Sequence, residues 1–148
     1  MTRELRSEDM SGIKPSGAAK GGLIGGVTAG IVTTGLYFVG SALGADYKPR
    51  EPEKMGMEMM AAYSPFMICM IASVVAVSIA ALLGKLAGKK AWTIFLIISA
   101  LVFAAEAYAS IASFGDLKTI VILEIMHVPA ALLIVGGIHR FGVKPLQA

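Results

Sequence analysis

One cysteine, Cys69, is all the thiol chemistry this 148-residue chain holds. It excludes an internal disulfide and any cysteine-spaced metal site. A lone cysteine inside an apolar run is a small packing residue. Charge is also scarce. Asp, Glu, Lys and Arg make up 16% of the residues, against about 25% in an ordinary soluble domain. The signatures of soluble enzymes are missing as well. There is no phosphate-cradling Gly-Lys-Ser/Thr loop and no Gly-x-Ser-x-Gly elbow. Gly21-Gly22-Leu23-Ile24-Gly25-Gly26 has no strand before it, so it is not a dinucleotide fingerprint. No basic stripe with interleaved aromatics supports nucleic-acid binding.

What fills the chain instead is apolar sequence, 56% of all residues. It is gathered into four runs, each near the roughly 20 residues that a helix needs to cross a bilayer. They cover 21–45, 61–83, 91–114 and 119–141. The expected fold is all-α, a polytopic four-helix transmembrane bundle. Residues 1–20 are polar and read as a flexible cytosolic tail, and 142–148 as a second short tail. The first apolar run is long enough to span, so it is expected to be a retained helix and not a cleaved leader.

Charges lie between the runs, and their sign sets the orientation. The N-terminal tail, the turn after the second run and the C-terminus carry nine Lys and Arg, while the first and third loops carry four. Basic residues concentrate on the cytoplasmic side. Both termini are therefore expected inside, in a multi-pass protein of a bacterial inner membrane. The net charge of +3 then reflects topology.

Gly22, Gly26 and Gly30 recur every four residues in the first run. Small residues at that spacing let helices approach closely in lipid. Packing within the bundle is the favoured reading, and a dimer interface the other.

Three ionisable residues stand inside the last two runs: Glu106, Glu124 and His127. Such groups are costly at bilayer depth and usually face the protein interior or water. Glu106 lies roughly 21 Å along the third helix from Trp92, an expected interfacial anchor. Glu124 and His127 lie roughly 8 and 12 Å from Thr119 on the returning helix. All three thus reach similar depths in the outer half of a layer about 30 Å thick. Ser99, Glu106, Ser110 and Ser113 share one helical face, and Glu124 and His127 are i,i+3 neighbours. Pro129 loosens the backbone bonding just beyond them. Tyr37, Tyr63 and Ser110 complete an expected outward-opening polar pocket.

Carboxyl and imidazole groups can pass protons, in acid–base catalysis or in a transporter relay. Glu106, Glu124 and His127 are thus the candidate catalytic residues. They can equally form an interhelical polar clamp. A Glu-x-x-His plus a neighbouring Glu is half of a di-iron bundle site, and the other half is missing. Met55, Met57, Met59 and Met60 form a second cluster, whose soft thioethers suit Cu(I) or flexible apolar packing. No cofactor is strongly implied.

The layout resembles a family of uncharacterised small four-helix bacterial membrane proteins, common in actinobacteria. The resemblance rests on Leu43-Gly44-Ala45-Asp46 opening a long loop and on a basic turn before Trp92-Thr93. It continues through Met126-His127-Val128-Pro129-Ala130-Ala131 and Arg140. It covers the chain from Gly21 to Arg140 and implies no activity, and Glu106 and Glu124 are not part of it.

The leading expectation is a small subunit or partner of a larger membrane assembly, in contact with lipid and with other subunits or with itself. The competing ones are a proton-coupled small-molecule carrier and a membrane-embedded acid–base enzyme acting on a lipid-like substrate. The enzyme reading requires a lipid-sized cavity touching Glu106 and His127; the assembly reading does not.

Overall fold

Pro15 sits in the first turn of the first helix in a computed structural model that describes residues 12–143. Its fixed φ and missing N–H suit a helix start. That start comes six residues before the expected boundary, so α1 runs Pro15–Ala42. The loop after it contains a short helix, α2, Pro52–Met55, closed by Gly56 in the left-handed conformation. α3 spans Ser64–Leu86, α4 Ala91–Ser113 and α5 Leu117–Gly142. A single 3₁₀ turn, Gly88–Lys90, joins α3 to α4. Pro129 is accommodated within an unbroken α5. The four long helices are long and apolar enough to cross a membrane. The parts of the expected tails at 1–11 and 144–148 lie outside the described residues.

α1 holds the bundle together because it carries two glycine faces. A side chain at Gly22, Gly26 or Gly30 would collide with Val77, Ser73 or Phe66 of α3. One residue back in register, Gly17, Gly21 and Gly25 lie against the α5 backbone at Phe141, Gly137 and Leu133. Such approach multiplies backbone contacts where no hydrophobic drive exists between helices in lipid. The Ser73 hydroxyl adds an interhelical hydrogen bond, donating to the Gly22 carbonyl at 2.5 Å. Both glycine faces are thus covered within the chain.

α4 closes the far side against α3 and α5. Its packing is thin. Only Ala91, Phe95 and Ser110 of its 23 residues are buried. Large apolar side chains such as Ile31, Ile71, Leu101 and Leu132 point outward from all four long helices, as lipid-facing surfaces require.

Each end of the bundle is tied by backbone bonds. At one end the described chain termini meet the α3–α4 turn. Gly12 N–H donates to Gly88 O at 3.2 Å, and Lys14 N–H to Gly142 O at 2.7 Å. Ile13 is fully buried between them and bridges Val143. At the other end the 43–63 loop folds over the helix tips. Tyr47 is 1% exposed and has a φ of 52°, in the left-handed region. That conformation costs a non-glycine residue about 1–2 kcal/mol. Three hydrogen bonds and a stacked ring hold it there. Its hydroxyl donates to Tyr37 O at 3.0 Å, its N–H donates to the Thr119 hydroxyl at 3.2 Å, and its carbonyl accepts from Met60 N–H at 3.1 Å. The Tyr37 and Tyr47 rings stack with centroids 4.3 Å apart. Arg50 clamps the loop to the end of α4, its Nε donating to Phe114 O at 2.7 Å.

Candidate functional site

The thin packing of α4 has a direct consequence inside the bundle. Between α3, α4 and α5 lies a cavity of about 390 Å³. Its wall is mostly aliphatic and aromatic, with Ile68, Val75, Val102, Phe103 and Ile134 among its residues. Glu106 and His127 both lie on it, so two of the three ionisable residues singled out from sequence meet one space. Ser99, Thr33 and Cys69 are the other polar wall residues.

These three are already engaged. The Ser99 hydroxyl donates to Phe95 O at 2.8 Å, one turn back in its own helix. Thr33 donates to Ala29 O at 2.9 Å and lies 3.4 Å from the Cys69 sulfur. By contrast, His127 Nδ1 is buried with no hydrogen-bond partner. Among the described residues no hydrogen bond or ion pair joins Glu106 or Glu124 to His127. The expected clamp is not formed. His127 instead meets Phe103 edge-on, ring centroids 6.5 Å apart.

The other sequence candidates lie elsewhere. Glu124 is half-buried, keeps a buried Oε1 without a partner, and is not on the cavity wall. Tyr37 belongs to the loop cap, its hydroxyl donating to Met60 O at 2.8 Å. Tyr63 is 71% exposed and borders a separate shallow depression with Ile31, Thr34, Phe66 and Met67. Ser110 is buried but turned to its own helix, donating to the Glu106 carbonyl at 3.1 Å. The expected pocket of Tyr37, Tyr63 and Ser110 is therefore not one place. Each of the three tips is drawn off by a nearer partner or by the surface.

The methionine run divides. Met55, Met57 and Met59 are exposed on the loop, whereas Met60 is buried and reaches the cavity wall. Among the described residues no group of three or more His, Cys, Asp and Glu side chains could hold a metal ion.

Two features lie outside the residues singled out from sequence. Tyr47, deep in the cap, lies in a polar loop with nothing to mark it as buried. Burial pushes its phenol above the ordinary value, and Tyr37 adds to this. Asp116 caps α5. Its carboxylate accepts from the Thr119 N–H and hydroxyl, both at 2.8 Å, which holds it below the usual carboxylate range. An Asp three residues before a Thr at a helix start is a readable capping pattern.

The site is thus an intramembrane cavity with an apolar wall and one acid and one imidazole facing it. No curated protein and no solved structure matches the chain. A family model does match, over residues 14–143, taking in nearly every described residue and all four long helices, and the chain belongs to that family of unknown function (DUF6069).

Proposed function

We propose that this small membrane protein binds a lipid-like molecule inside the bilayer, with Glu106 and His127 as its polar contacts. The observation that carries the reading is the cavity of about 390 Å³ that both residues border. Its volume falls in the range of small-molecule sites, about 300–1,000 Å³. Its composition, apolar with few polar groups, is also that of a ligand site. An acid and an imidazole facing such a space can exchange protons with what occupies it. The carrier and the acid–base enzyme share this binding step.

The test is to purify the protein and identify the lipids that stay bound by native mass spectrometry. A specific lipid-like adduct is expected on the wild type and lost on Ala131→Phe, which fills the wall beside His127. Absence of any adduct on the wild type would refute the reading. Proteoliposome flux then separates the two chemistries, since only a carrier gives pH-dependent transport that Glu106→Gln abolishes.

A second reading, a subunit or partner within a larger membrane assembly, draws support from α4. A helix with three buried residues of 23 has spare surface for another transmembrane segment. Stable co-purification with one partner in mild detergent is its expected outcome. For topology, we place both termini in the cytoplasm of a bacterial inner membrane. The described chain ends meet the turn beside Lys85, Lys89 and Lys90, which is the side expected to be basic.

A further inference from the structure

The cavity is long. Its wall extends along α3 from Pro65 to Ile79, along α4 from Phe95 to Glu106 and along α5 from Leu123 to Val135. At 1.5 Å per residue these stretches measure about 21, 17 and 18 Å.

Its free polar atoms sit toward one end. Ser99, Thr33 and Cys69 are engaged with protein partners. Glu106 is the wall residue of α4 nearest the Tyr47 loop, and His127 lies about 6 Å in from that end on α5. The remainder, toward Phe95 and Val135, is apolar apart from the engaged Ser99. Among the described residues no Lys or Arg stands on the wall.

We infer that the slot takes an amphiphile whose non-anionic, hydrogen-bond-donating head, a hydroxyl or an amine, lies beside Glu106 and His127. Its chain points to Phe95. This rests on the lipid-binding reading above and adds the ligand's class and direction. A hydroxyl or amine can donate to the Glu106 carboxyl. A phosphate or carboxylate head would be buried in a low-dielectric site with no Lys or Arg on the wall to offset its charge.

Trp92, the chain's only tryptophan, makes this measurable. It stacks on Phe95 with centroids 5.5 Å apart, at the far end of the slot. The full chain is placed in phosphatidylcholine nanodiscs, and Trp92 fluorescence is titrated with 16-carbon chains carrying a nitroxide quencher. The heads are alcohol, amine and carboxylate, and the nitroxide is either at the chain end or near the head. The alcohol, the amine or both should quench saturably at one per protein, more from the chain end than from the head. Whichever binds identifies the head. The carboxylate should bind at least tenfold more weakly, and Glu106→Gln should shrink that gap. Ala131→Phe should remove the saturable part. Carboxylate binding as tight as the others, or stronger quenching from the head position, overturns this inference and leaves the lipid-binding reading standing. Unsaturable quenching by every probe overturns both. Should Glu106→Gln not fold, the head-group panel on the wild type still decides.

Discussion

Gly136 and Gly137 are neighbours in α5, and replacing each by alanine isolates the contact on which the bundle rests. A methyl at Gly136 meets nothing within 4 Å. A methyl at Gly137 lands on the Gly21 carbonyl, with Gly25 Cα 3.4 Å away. Neither obstacle is a side chain that can rotate aside, because both belong to the α1 backbone. The helices must therefore part. A gap of about 1 Å forfeits a quarter to a half of the dispersion energy of the contacts it opens. Inserting a methyl into a well-packed interface typically costs about 1–3 kcal/mol. The contact here is backbone on backbone, so the upper part of that range, about 2–3 kcal/mol, is expected. The gain in helix propensity, at most about 1 kcal/mol, is common to both variants and cancels in the comparison. Unfolding by dodecyl sulfate in mixed micelles, followed by circular dichroism, measures the difference. Gly137→Ala should unfold at a clearly lower detergent fraction than Gly136→Ala. Equal stability of the two would refute the close α1–α5 approach.

Tyr47→Phe removes one neutral hydrogen bond, to Tyr37 O, and keeps the buried ring, so it should cost about 1 kcal/mol. Tyr47→Ala empties an aromatic-sized space and should cost about 3–5 kcal/mol in the same unfolding assay. Asp116 gives a pH signature. Its carboxyl is held below the ordinary range in the folded chain, so its contribution is complete above the unfolded value near about 4. That contribution is lost as pH falls through the lower folded value. Unfolding midpoints measured from neutral pH down to about 3 should drop more for the wild type than for Asp116→Asn, which still caps the helix without titrating.

The spans could be read from sequence because lipid demands long apolar runs, and those runs are plain in a linear chain. The Gly22, Gly26 and Gly30 spacing was plain for the same reason. The second face, Gly17, Gly21 and Gly25, was present in the doublets Gly21-Gly22 and Gly25-Gly26, each of which feeds two stripes about 100° apart around one helix. Depth alone paired Glu106 with His127, and both do reach one cavity. Depth also included Glu124, which the wall omits. Which of two adjacent side chains meets a void depends on how a third helix packs, and that is a property of the assembled bundle. Tyr47 was illegible because its burial comes from loop atoms folding over it, with no periodic pattern to announce them.

The intimate pairing of α1 with α5 has a kinetic meaning. Gly137 follows Gly21 by 116 residues. At about 5–20 residues per second, synthesis separates them by roughly 6–23 s. Throughout that interval the first span waits in the membrane with one glycine stripe unsealed, and α3 is the earlier of its two partners to arrive. Packing of α1 is thus completed by α5, and a ribosome that stalls before Gly137 leaves an intermediate whose exposed stripe invites pairing with a second, equally unfinished chain.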